Sequence, residues 1–260
     1  MANSALHVAR TGLDAQNTRM RVIANNLANV NTTGFKRDRA AFETLAYQSI
    51  TAPGSASSAE TKNAIGLSLG TGVQMTGTAR IDTQGSLTTT GNALDMAIEG
   101  AGYFQVQMPG GRTAYTRAGD FSRSADGTLV TSGGLPVQPA IQIPEGVQSI
   151  SIGTDGTVSA TVDGTTTEVG RIETARFANP AGLEALGDNL LVETPASGAA
   201  QVGAPGSEGR GAIRSGALEA SNVNVVEELV DMIETQRAYE VNSKMISATD
   251  EMLKYVNQQL

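Results

Sequence analysis

Few residues of this chain have the type and spacing that a reaction needs. The single histidine, His7, sits beside an apolar heptad position in a helical N-terminal stretch, where an imidazole packs or meets solvent. Two carboxylate pairs, Asp95 with Glu99 and Asp120 with Asp126, have a spacing suited to acid–base work, but both lie in Gly-rich β sequence where turn carboxylates are common. No Ser or Thr has an assignable base. With no cysteine, thiol catalysis, thiolate zinc sites and disulfides are excluded. Asp126-Gly127, Asp155-Gly156 and Asp163-Gly164 lack further acidic residues at calcium-ligand spacing, so they are read as hairpin turns. Gly70-x-Gly72 followed by Gly77 departs from the dinucleotide fingerprint. No catalytic, metal-ligating or cofactor-binding residue is expected, and no small-molecule substrate.

The sequence is instead organised by its helices. Ser221 to Leu260 contains neither Gly nor Pro and repeats apolar residues every seven positions, at Val225, Met232, Tyr239, Ile246, Leu253 and Leu260. Further apolar residues, Leu229 among them, widen that seam beyond what one partner helix would cover. Asn224 before Val225, with Glu227 three residues on, marks the helix start. At the other end Leu6, Leu13, Met20 and Leu27 repeat at seven, shadowed by Ala9, Gln16, Ile23 and Val30. That helix should stop near Asn29 to Asn31, with Gly34 suited to a left-handed exit.

Glycine and proline divide the chain between these ends. All prolines lie from Pro53 to Pro205, and only Gly12 and Gly34 fall outside Gly54 to Gly216. Strands are expected at Gly102 to Met108, Thr113 to Thr116, Thr128 to Thr131, Ser149 to Ile152, Thr157 to Val162, Glu168 to Phe177 and Leu190 to Glu193. Tyr47 to Ile65, rich in small polar residues, reads as a linker or extended arm, and Ser197 to Gly211 as a return linker. The fold class is therefore α+β, with long N- and C-terminal helices forming a coiled-coil layer, a central all-β domain and an extended connecting arm.

Charge separates the two ends. Residues 1–44 hold six bases against three acids, and residues 219–260 three bases against eight acids, so opposite signs favour their meeting. The formal charge of −8 argues against a nucleic-acid surface. The N-terminus has no apolar run of h-region length, so a cleaved secretory signal is not expected, and no stretch is long and apolar enough for a transmembrane helix.

The run from Ile23 to Lys36, with Asn25, Asn26, Leu27, Ala28, Asn29, Asn31, Thr32, Gly34 and Phe35, closely resembles the N-terminal signature of bacterial flagellar rod and hook proteins. Ser221 to Val230, followed by Gln236 to Lys244, resembles the matching C-terminal signature. A third block, Gly91 to Gly100 through Tyr103 to Val106 and Tyr115-Thr116-Arg117, is similar to the family's central domain. Leu69 to Val73, Gln138 to Ile141 and the stretch with Pro53, Gly54, Ser55, Ser57 and Ser58 look most like the family's distal-rod members.

That resemblance implies a helical homopolymer forming a rigid hollow drive shaft of the basal body. Residues 1–34 and 221–260 would form its inner axial core, 35–68 a rod-specific arm and 69–220 the outer β-rich domain. It implies partners among proximal rod proteins, hook protein, rod cap protein, the L- and P-ring bushing and the flagellar export apparatus. It also implies a distal rod spanning periplasm to outer membrane, exported without a cleaved signal peptide. Two alternatives differ in kind: another flagellar axial protein (proximal rod or short hook), and a secreted β-rich adhesin on a coiled-coil stalk.

Overall fold

The computed structural model describes residues 2–54 and 64–259. Helices at the two ends flank β-rich sequence, an α+β arrangement. The elements are α1 (Ala2–Ala28), β1 (Asp38–Thr44), β2 (Tyr47–Thr51), β3 (Leu67–Gly70), β4 (Val73–Arg80), β5 (Leu87–Thr89), β6 (Met96–Glu99), β7 (Tyr103–Gln107), β8 (Thr113–Thr116), β9 (Phe121–Arg123) and β10 (Leu129–Thr131). They continue with β11 (Val137–Gln138), β12 (Ser149–Ile152), β13 (Thr157–Val162), β14 (Thr165–Arg171), β15 (Thr174–Arg176), β16 (Glu184–Gly187), β17 (Leu190–Val192), β18 (Gln201–Gly203), β19 (Ala212–Ser215), β20 (Ala217–Glu219) and α2 (Val225–Gln259). They fall into two compact units, one of residues 1–27, 38–79 and 224–260, the other of residues 28–37 and 80–223.

The helical unit holds both helices and two antiparallel ribbons, β1 with β4 and β2 with β3. The arm between Thr44 and Leu67 is thus partly strand: Tyr47 faces Gly70 and Thr51 faces Leu67 across the second ribbon. Those strands left no pattern in the sequence, because the pairing is carried by backbone groups and Tyr47, Ile50, Leu67 and Leu69 all stay exposed. Gly54 has a positive φ at the tip, whereas Ser55, Ser57 and Ser58 lie outside the described residues.

The β unit centres on a seven-stranded sheet ordered β16-β17-β8-β7-β15-β18, with β11 also on β7. Alternation along β7 explains its two cores. Phe104 and Val106 join Met96, Ile98, Phe121 and Leu129 in one cluster, while Tyr103 joins Tyr115, Phe177 and Leu191 in the other. Edge-on ring contacts, Phe104 to Phe121 at 5.1 Å and Tyr115 to Phe177 at 4.8 Å, fill space that a chain without Trp would otherwise leave thin. Each Asp-Gly pair makes a turn, with Gly127 and Gly156 at positive φ and both Asp163 and Gly164 there, as a tight hairpin requires. The strand expected over Glu168 to Phe177 is in fact two, because the chain leaves β13 after Arg171 and joins β7 from Thr174.

Candidate assembly interface

α2 begins where its cap allows: the Asn224 Oδ1 accepts a hydrogen bond from the Val226 backbone N–H at 3.0 Å. Against α1 it runs antiparallel. Asn26 donates to the Glu228 carboxylate at 3.2 Å, Arg19 pairs with Asp231 at 3.1 Å, and a Cβ at Gly12 would stand 3.1 Å from the Asn242 amide. Asn26 also clasps the chain as it leaves the helix, donating to the Asp38 carbonyl and accepting from the Asp38 N–H. The row of α2 turned to its neighbours is polar: Glu228 and Thr235 are fully buried, and Asn242 and Thr249 half-buried, at an unbroken spacing of seven.

The apolar residues of α2 lie elsewhere on its circumference. Val225, Val226, Leu229, Val230, Ile233, Tyr239, Val241, Met245, Met252 and Tyr255 are all exposed, Val226 at 68% and Met252 at 62%. The heptad seam read from sequence straddles the boundary. Met232, Ile246 and Leu253 are half-buried, Val225, Leu229 and Tyr239 exposed, and Leu260 lies outside the described residues. On α1, Ile23 is buried, and Leu6, Leu13, Met20, Leu27 and, just beyond the helix, Val30 are half-buried. Among the described residues, the helical unit buries only Ala9, Ala15 and Ile23 of its hydrophobic side chains. Its ribbons add exposed Tyr47, Ile50, Leu67, Leu69 and Met75.

The β unit carries a second constellation, which the sequence reading did not assemble. The Glu219 carboxylate bridges Lys36 Nζ at 2.6 Å and Arg117 Nε at 2.8 Å, with side chains only 1%, 3% and 6% exposed respectively. It also accepts from the Gly85 N–H at 2.9 Å. Lys36 donates to the Thr83 carbonyl, and Arg117 spreads its remaining donors over the carbonyls of Gly100, Gly102 and Ile98. Burial pushes the Glu219 carboxyl up, but two cations outweigh it and hold the group below its ordinary range. Lys36, which shares that one anion with Arg117, is pushed below its ordinary value by burial. Beside the triad Gly34 has φ +69°, and a Cβ there would meet the Arg117 carbonyl carbon at 2.6 Å, so only glycine fits.

Two of the acidic residues first weighed for chemistry, Asp95 and Asp155, have structural work. Asp95 accepts from Thr90 and Asn92 within its own turn, and its backbone bridges Asp120. Asp155 caps its turn through Thr157 and Arg171. His7 reaches the Thr71 carbonyl at 3.2 Å from an exposed position.

Comparison with known proteins agrees with this architecture. Residues 6–36 match the family model for flagella basal body rod proteins, 97–160 the D1 domain of the flagellar hook protein FlgE/F/G, and 214–259 the C-terminal region of the flagellar basal body rod FlgEFG protein. The flagellar basal-body rod protein FlgG of Buchnera aphidicola (from Acyrthosiphon pisum) is 51% identical over 256 residues, 98% of both chains. The chain belongs to the FlgG family of flagellar basal-body rod proteins. FlgG of Agrobacterium fabrum is 48% identical over 98% of this chain and 99% of its own, and FlgG of Bacillus subtilis 41% over 96% of each. This membership makes the chain a structural subunit of the flagellar basal body.

Each of the three matched family regions supplies one member of the buried triad: Lys36 the first, Arg117 the second and Glu219 the third. Of the N-terminal signature of the FlgG family, Asn26 and Gly34 have explicit duties here, and Phe35 contributes its carbonyl, which accepts from the Asn222 N–H. Asn29 receives the Thr32 hydroxyl and N–H in the turn after α1, whereas Asn25, Ala28 and Asn31 are exposed.

Proposed function

We propose that this chain polymerises helically into the distal rod, a stiff hollow shaft of the basal body that carries motor torque to the hook and leaves an axial channel for export. One observation carries the reading: the helical unit turns polar groups inward and apolar groups outward, which an isolated subunit has no reason to do. At about 1.5–3 kcal/mol for each large apolar side chain fully buried, ten such residues on α2 are ample to drive association. Residues 1–34 and 221–260 then form the inner coiled-coil layer, with Leu6, Leu13, Met20, Leu27 and the row from Val225 to Leu253 meeting neighbouring copies. The β-rich residues 69–220 form the outer wall, and the arm over 35–68 braces adjacent subunits. Proximal rod proteins, hook protein, rod cap protein, the L- and P-ring bushing and the export apparatus are its partners, along a path from periplasm to outer membrane.

The test is electron microscopy of concentrated protein beside the Met245→Asp, Met252→Asp double variant. The parent should give regular tubes, and the variant should stay dispersed with its β unit folded. A parent that remains monomeric at high concentration, or a variant that assembles equally well, overturns the proposal.

A further inference from the structure

The chain passes between the two units four times, at residues 27/28, 37/38, 79/80 and 223/224. Two of these crossings lead straight into the helices, α1 into residues 28–37 and the segment ending at Val223 into α2, so tension carried along either helix enters the β unit through one of these two segments. They lie side by side and are bonded to each other. The Gly34 N–H donates to the Glu219 carbonyl at 2.8 Å, the Asn222 N–H to the Phe35 carbonyl at 3.4 Å, and the Arg37 N–H to the Asn222 Oδ1 at 2.7 Å. Residue number rises in the same direction along both segments, so the pairing is parallel in sense. Tension applied before Gly34 and after Asn222 therefore pulls the two segments past each other, which strains their bonds together instead of opening them one at a time.

Side chains reinforce that geometry. The Lys36–Glu219 ion pair crosses between the two segments, and Arg117 ties Glu219 to the body of the unit through the carbonyls of Gly100 and Gly102. Asn222 donates to the carbonyls of Ile81 and Thr83, and the Ile81 N–H returns to the Arg37 carbonyl. Burial keeps water from competing for the bonds of Glu219 with Lys36 and Arg117, and charge assistance makes them the strongest of the group.

We propose that residues 34–37 and 219–222, fastened by Glu219 between Lys36 and Arg117, form a shear clasp that lets the β unit take up force delivered along its two connections to the helices without unfolding. Its use in the flagellum rests on the torque-bearing reading above, but the clasp itself does not. Glu219 is its positioning residue.

The chain has no cysteine, so handles can be placed at will. Full-length protein carrying Ala28→Cys and Val226→Cys, both exposed, is pulled by optical tweezers through the clasp. A second preparation with Ser122→Cys and Ala196→Cys, also exposed, is pulled through the body of the β unit, outside the clasp segments. At equal constant force the first geometry should outlive the second. Glu219→Gln should raise the unfolding rate by at least ~10-fold in the first geometry and much less in the second. Asn222→Ala, which leaves the buried charges intact, should act in the same direction and covers the case in which the glutamine variant fails to fold. Equal lifetimes in the two geometries, or variants that change both geometries alike, overturn the clasp. Loss of tube formation with an intact clasp response would instead count against the rod assembly reading.

Discussion

The two units solve the problem of burial in opposite ways. The β unit puts Phe104, Phe121, Ile98 and Leu129 inside and leaves only Leu186 and Val202 as exposed large hydrophobics. The helical unit buries Asn26, Glu228 and Thr235, and every other exposed large hydrophobic residue belongs to it. A unit of the first kind is complete by itself. On the assembly proposed above, one of the second kind is half of an interface, so one part of the subunit stands as a folded body and the other waits for neighbours.

The comparison breaks most severely at Glu219. Glu219→Leu would strand Lys36 and Arg117 without their anion inside the β unit, at a cost of about 3–5 kcal/mol, equivalent to lowering its melting transition by about 10 °C. Calorimetry should show that shift in the β unit. Acid should reproduce part of it. The Glu219 carboxyl titrates below its ordinary value of 4.5 in the folded state, so the unfolded chain binds the proton first as pH falls. The stabilisation is therefore complete above that ordinary value and is lost as pH drops through the lower folded value, with Lys36 and Arg117 still charged. Equilibrium unfolding measured across that window should decline for the parent and stay flatter for Glu219→Gln.

In the helical unit the corresponding substitution should behave differently. Replacing Asn26 and Glu228 together by Leu leaves neither side chain facing an unpaired partner, but it takes from the Asp38 N–H and carbonyl their bonds to Asn26, so stability should fall by about 1–3 kcal/mol. What changes is register, because an apolar face fits at several heptad offsets where a hydrogen-bonded pair fits at one. Gly12→Cys with Asn242→Cys reports on this: oxidation should link the two readily in the parent and several-fold less in the double-Leu chain. Equal yields would mean that shape alone, through Gly12, sets the alignment.

Much of this was legible in the sequence. Heptad spacing and the confinement of Gly and Pro placed both helices, and Asn224 placed the start of α2. Alternation and Asp-Gly turns placed β7, β8, β12 and β13. Strands β1 to β4 were hidden, since none of their side chains is buried, so no face of them carries an apolar period, and backbone pairing leaves no mark on composition. The direction in which α2 faces was also hidden. Periodicity reveals an apolar row but not whether that row meets the subunit's own helix or another copy, and the inward row of Glu228, Thr235 and Asn242 carries no hydrophobic signal. The triad escaped for a related reason: Lys36 and Arg117 each stood within a recognised motif, and Glu219 had been counted only as helix-end charge. The opposition of charge between the two ends was nonetheless physical, and two of its pairs are Lys36 with Glu219 and Arg19 with Asp231.

Those two pairs set the smallest expected effect against the largest. Both unite a base from the N-terminal end with an acid from the C-terminal end at similar distances, 2.6 Å and 3.1 Å. Only solvent separates them in kind: Arg19 and Asp231 are 38% and 30% exposed, so water and salt screen their attraction and their chains retain freedom to leave it. Arg19→Ala should therefore cost no more than about 1 kcal/mol, and less in concentrated salt. The cost of Glu219→Leu should barely respond to salt. Chemical denaturation with urea, which adds no ions, at two salt concentrations would compare them directly. A salt-insensitive Arg19 pair would show that the helix interface is drier than its exposed side chains indicate, and would move it toward the behaviour of the β unit.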